Sequence, residues 1–149
     1  MRYVLDTNVL VHHVRSDATM SYLEDTYNPF GAENMAIISI ATVAEILALA
    51  KQFGWGRSKN ETIQDLFNGA IITEIRSTDL IEAYVEIDSF SHDVHDKYDL
   101  DTSHRNMGKN DIWIAATAMV TDSILLTSDA DFNHLNGKFL QVIQYQEAF

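Results

Sequence analysis

The feature that most constrains this chain is the alternation of short apolar runs with longer periodic segments. "YVLD" is a continuous apolar run, as expected of a strand covered on both faces. "MAIIS", "AIITEI", "SILLTSD" and "FLQVIQY" supply four more strand candidates. Between them lie helical segments: about Ser16 to Tyr27, "TVAEILALAKQFG" closed by Gly54, "KNETIQDLFNG" stopped at Gly69, Ser77 to about Val94, and "NDIWIAATAMV". The polar stretch "HDVHDKYDLDTSHRNMGK" reads as a loop. Strand–helix alternation of this kind predicts an α/β fold, with a central parallel sheet of about five strands flanked by helices.

Ligands collect at the carboxyl edge of such sheets. Two of the apolar runs end in an acid, at Asp6 and at Asp129, so both carboxylates are expected on one edge. Each has an ordinary explanation as a cap of the following turn. Asp111, after Asn110 at the start of an apolar helix, likewise suits a helix N-terminus. Glu45 resists that treatment, being the one charged residue in "MAIISIATVAEILALA". On a helix its neighbours are Ala41, Thr42, Ala48 and Leu49, and no Lys or Arg lies within a turn. An isolated carboxylate in such company costs several kcal/mol unless something cationic sits over it. One arrangement accounts for all four acids: a shared cleft whose mutual repulsion a hard divalent cation, Mg²⁺ or Mn²⁺, relieves through oxygen ligands.

The totals narrow the class further. A chain of 149 residues with 46% hydrophobic residues is read as one domain, residues 1–149. It has no cysteine, which excludes disulfides and thiolate metal sites. "IWIAATAMV" is far short of a membrane span and the amino terminus does not read as a signal peptide, so a cytoplasmic protein without membrane association is expected. The formal charge of −12 opposes a protein that coats nucleic acid non-specifically. It suits bound cations or a basic partner.

Four ordered blocks, "YVLDTNVLV", "ISIATVAEILALA", "NDIWIAATAM" and "LLTSDADF", resemble the PIN-domain ribonucleases, most closely the VapC-type toxins of toxin–antitoxin pairs. The resemblance implies a PIN-like three-layer sandwich and endonucleolytic cleavage of RNA at an acidic Mg²⁺/Mn²⁺ site that activates water. Asp6, Glu45 and Asp111 match the three characteristic acids of that family, and Asp129 the more variable fourth. Asn8 and Thr127 match polar positions that steady the first and fourth acids by hydrogen bonds, while Asp131 is a nearby spare, read first as a turn-forming acid and otherwise as one that takes part through water. The family also implies an antitoxin that inserts an Arg into the acidic cleft, and commonly a homodimer. RNA needs local positive charge, for which Arg15, Lys51, Arg57, Lys59, Arg105 and Lys109 are the candidates. The loop from His95 to Lys109 is longer than usual for the family and departs from it most.

Other motifs carry less. His92, His95, His104 and the intervening acids invite a zinc site, but the spacing matches no common ligand pattern. His12 and His13 are expected on the surface of the first helix, and Trp113 and Phe132 in the core. "GKND" lacks the earlier glycine and the hydroxyl residue of a phosphate loop, and Asn60 begins a glycosylation sequon without meaning in the cytoplasm. A phosphatase of the haloacid-dehalogenase type needs a second Asp where Asn8 stands, and a phosphoacceptor receiver needs an acid pair and a late lysine that are missing. A catalytically idle PIN-like binding module is the rival from another class, which the complete acid set argues against.

Overall fold

The computed structural model describes residues 1–148. Five strands, β1 (Arg2–Leu5), β2 (Met35–Ser39), β3 (Ile71–Thr73), β4 (Ile124–Thr127) and β5 (Gln141–Gln144), form one sheet in the order β3-β2-β1-β4-β5. Every pairing is parallel. The helices are α1 (Thr7–Arg15), α2 (Ala18–Thr26), α3 (Ile40–Gln52), α4 (Arg57–Gly69), α5 (Thr78–Ser91) and α6 (Lys109–Val120). A short 3₁₀ segment, Ala130–Leu135, follows β4.

Alternation along the strands builds two cores. Tyr3, Leu5, Ile38 and Leu126 pack on one face against residues such as Leu10 of α1, Leu23 of α2, Ile46 of α3 and Ile63 of α4. Val4, Ile37, Leu125 and Val142 face the other way, onto Ile87 and Phe90 of α5, Ile112 and Ala115 of α6, and Phe132. The result is the expected three-layer α/β sandwich. Alanines at 115, 116 and 118 let α6 lie close to the sheet, and Ile112 is sealed beneath it. Truncating such a side chain to alanine costs about 2–5 kcal/mol.

The expected helix over Ser16–Tyr27 corresponds to α2, which starts two residues later and ends one earlier, and α1 precedes it as the separate helix that carries His12 and His13. Helix α1 begins right after Asp6, and Ser16 takes a left-handed conformation (φ 50°) that breaks the chain. Asp17 then caps α2 through the Met20 N–H at 3.0 Å. His12 is buried against Asp17 rather than at the surface as expected. Phe132 is fully buried as anticipated, while Trp113 is partly buried and stacks on Tyr84 with ring centroids 4.3 Å apart.

Helices α1 and α3 rise directly from the ends of β1 and β2, so their first turns overhang the sheet's carboxyl edge. From β1 the chain moves outward to β2 and β3, then returns to β4 and β5 on the other side. The crossover reverses at the β1–β4 boundary, the crevice where α/β sheets bind ligands.

Candidate active site

Asp6 leaves β1 at that crevice, its backbone N–H still bonded to Leu126 O of β4 at 3.2 Å. Its carboxylate is buried and tightly held. Oδ1 accepts from the Thr7 N–H at 2.7 Å. Oδ2 accepts from Thr127 Oγ1 at 2.7 Å and from Asn8 Nδ2 at 3.3 Å. Asn8 is fixed in turn, its Oδ1 accepting from the buried Tyr145 hydroxyl at 3.0 Å. Asn8 thus links the buried Tyr145 to the first acid. Thr127 also reaches the fourth, its Oγ1 accepting from the Asp129 N–H at 3.0 Å.

The other acids arrive from separate elements. Asp6, Glu45, Asp111 and Asp129 all line one open cleft of about 380 Å³. Glu45, on α3, receives Thr7 Oγ1 on its Oε2 at 3.0 Å. Its Oε1 is buried with no hydrogen-bond partner. Asp111 lies in the first turn of α6, where Gly108 is the cap residue and no side chain caps the helix. The cap signal expected at its start is therefore not used, because the chain turns into the helix one residue before Asn110. Asp129 does cap its turn, taking the Asp131 N–H at 2.8 Å, while Asp131 itself is exposed and outside the cleft lining.

Burial of these groups has an electrostatic cost. Burial pushes the Asp6 carboxyl up to about 6; the Thr127 and Thr7 hydrogen bonds oppose the rise, and Glu45 and Asp129 add to it. Asp111 is pushed up to about 7, by burial first and then by Asp6, Asp129, Glu45 and Asp131. Among the described residues no three acid or histidine side chains stand close enough together to form a metal-holding group. The all-oxygen donor set and the orphaned Glu45 Oε1 fit a hard divalent ion.

Three further cleft neighbours escaped the sequence reading. Thr7 orients Glu45 across 38 residues, and Tyr145 acts on Asp6 through Asn8. Glu147 lines the cleft as a fifth carboxylate, meeting His12 Nε2 at 3.2 Å. The hydroxyl beside Asp6 was a visible signal for Thr7; nothing in the pattern marks the tail residues. Among the basic candidates, Arg15 lines the cleft. Lys51, Lys59 and Lys109 are exposed elsewhere, and exposed Arg57 pairs with Glu61 at 2.9 Å. Arg105 is half-buried, its backbone N–H bonded to Ser91 O at 2.8 Å. The zinc candidates His92 and His104 are exposed.

A PIN domain model matches residues 3–138. The chain belongs to the PIN domain family. This PIN domain also resembles solved structures over nearly its whole length. VapBC2 from Rickettsia felis, bound to a DNA fragment from its promoter, has a TM-score of 0.74 at 18% identity, covering 98% of this chain and 100% of the other. VapBC-1 from nontypeable Haemophilus influenzae gives 0.68 at 20%, covering 97% and 98%. VapBC-5 from Mycobacterium tuberculosis, of the VapBC family of toxin–antitoxin systems, gives 0.64 at 19%, covering 97% and 98%. At such identities the likeness is one of fold. No curated protein matches the sequence itself. Among the described residues no helix is long and apolar enough to cross a membrane.

Proposed function

We propose that this PIN domain is a metal-dependent endoribonuclease and the toxin half of a type II toxin–antitoxin pair. The observation that carries the proposal is the convergence of four acids from four elements at the sheet's switch point, with Glu45 Oε1 buried and unpartnered. Asp6, Glu45 and Asp111 would hold Mg²⁺ or Mn²⁺, with Asp129 completing the site. An ion held there supplies Lewis acidity toward phosphate oxygens and lowers the pKa of water.

The chain's own residues do the positioning. Thr7, Asn8 and Thr127 occupy both oxygens of Asp6, which fixes the plane of the carboxylate and leaves one acceptor site, on Oδ1, free for a further ligand. Thr7 bridges from Asp6 to Glu45, so an acid at the start of α1 and one on the face of α3 are set by one residue. Thr127 plays the same part between Asp6 and the backbone of Asp129. Preorganisation of this kind is worth most where water is thin, as around the buried Asp6.

The structural neighbours named above are toxin–antitoxin complexes or VapBC pairs, and this supports a basic antitoxin as partner. Its Arg would pair bidentately with the cleft acids in place of the metal. The net charge of −12 favours such a partner. We assign the protein to the cytoplasm, where its RNA substrate is, and expect it to form a homodimer. The deciding experiment is a map of RNA ends after exposure to purified wild type and Asp6→Asn, with calorimetry of Mg²⁺ and Mn²⁺ binding. New ends made by the wild type alone, with uptake of metal, support the reading. Cleavage by the variant refutes the assignment of Asp6, and absence of both cleavage and uptake refutes the function.

A further inference from the structure

Between Glu45 and Glu61 the chain carries Lys51, Arg57 and Lys59 and no acid, although acids outnumber Lys and Arg by 22 to 10 overall. The same stretch holds Phe53 and Trp55. It is the turn from α3 to α4, and the backbone fixes it firmly. Gly54 adopts the left-handed conformation (φ 63°), and the Trp55 and Gly54 N–H groups return to Ala50 O at 2.9 Å and Lys51 O at 3.2 Å. Asn60 Nδ2 then ties the far side, donating to Trp55 O at 2.8 Å and Gly56 O at 2.9 Å.

On this rigid turn the side chains form a ladder. Arg15, from the end of α1, sets its guanidinium 5.7 Å from the Phe53 ring centroid. Phe53 and Trp55 lie 5.7 Å apart, tilted by 42°. The Lys59 ammonium follows, 5.6 Å from the Trp55 ring. Arg15 also lines the acidic cleft, so the ladder starts at the candidate active site and runs outward. Phe53 is 53% exposed, too much for a ring whose task is to fill a core.

We infer that the Arg15–Phe53–Trp55–Lys59 strip is a stacking platform for single-stranded RNA entering the acidic cleft. The inference rests on the endoribonuclease reading and adds to it the surface that would hold the substrate strand. Aromatic faces interleaved with cations are what unpaired bases and their phosphates require, and a duplex hides those faces. The local charge is opposite to that of the cleft, and this is how an acidic protein can draw a polyanion to one place. An exposed Phe and its flanking cations also suit a protein partner, but only RNA uses both the ring faces and the continuity with the cleft.

The test is fluorescence anisotropy of a labelled oligouridylate of about ten nucleotides, and of the same strand in a duplex with oligoadenylate. Wild type, Phe53→Ala, Phe53→Leu and Phe53→Trp are compared in EDTA at low ionic strength, with thermal melts to verify folding. Phe53→Leu keeps the apolar volume and removes the ring, so it decides the matter if the alanine variant is unstable. The platform predicts about tenfold weaker single-strand binding for Ala and Leu, retention by Trp, and no change for the duplex. With Mg²⁺ present, KM should rise for cleavage while kcat holds. Phe53→Leu binding as tightly as wild type overturns the inference, including when that variant loses a protein partner. If the wild type cuts no RNA yet the Phe53 series still separates, the nuclease reading falls and the platform stands. Cleavage with a flat Phe53 series gives the reverse.

Discussion

Asp6, Glu45, Asp111 and Asp129 are dispersed along the chain and meet in one cleft, whereas His92, Asp93, Asp96, Asp99, Asp101 and His104 are crowded in sequence and spread over the surface. In the second region the polar side chains serve local turns. Asp93 accepts from the Leu100 N–H at 2.9 Å, and His95 Nδ1 accepts from the Lys97 and Tyr98 N–H groups at 3.0 and 3.2 Å. In the first, the sheet edge and two helix starts force like charges into a poorly solvated space. Neighbours in sequence satisfy one another, and only tertiary structure gathers groups that cannot.

The largest expected contrast is catalytic. Asp6→Asn should lower RNA cleavage by about 10²–10³-fold or more, while Asp99→Asn with Asp101→Asn leaves it unchanged. Equal losses in gel-based cleavage assays would erase the distinction between the regions. The next effect is on stability. Asp6 and Asp111 bind protons more tightly in the folded protein than in the unfolded chain, since burial and mutual repulsion lift them from 3.8 to about 6 and about 7. Their contribution without metal is therefore most favourable below about pH 4 and declines as pH rises through about 7, by about 3 kcal/mol for Asp6 alone. Mg²⁺ should raise the melting temperature more at about pH 7.5 than at about pH 5, because binding must expel those protons. Calorimetric melts across that range, identical with and without Mg²⁺, would count against a metal site.

How much of this was legible depends on range. Five strand runs, the glycine stop of α3 and the odd status of Glu45 could be read from periodicity and local charge. The extent of α1 could not, because "TNVLVHHVR" mixes β-branched residues and histidines of modest helix propensity, and its end depends on Ser16 entering a left-handed conformation. The burial of His12 follows from that turn of the chain, which brings Asp17 back to within 2.7 Å of its ring. Tyr145 was invisible for another reason: its partner Asn8 lies 137 residues away, and no helical or strand period connects them.

Two smaller effects sharpen the same comparison. Tyr145→Phe strips the half-buried Asn8 Oδ1 of its donor and should reduce kcat by about tenfold with little change in KM, in contrast to the Phe53 variants. A KM effect of equal size would place Tyr145 with substrate binding instead. Least of all, His92→Ala with His104→Ala should alter stability by no more than about 0.5 kcal/mol and leave zinc titrations featureless. Stoichiometric zinc uptake abolished by that pair would restore a metal role to the loop.

The tail beyond β5 has a practical side. Tyr145 is tied to Asn8, Glu147 to His12, and the Ala148 N–H to Thr19 Oγ1 at 2.8 Å, so the chain follows the rim of the cleft as far as Glu147 and then turns onto α2. A substitution that frees this tail, such as Glu147→Ala, therefore acts on the entrance of the cleft and not on its floor. Because every strand points the same way, Met1 emerges at the opposite edge of the sheet, and a fusion there keeps the entrance clear.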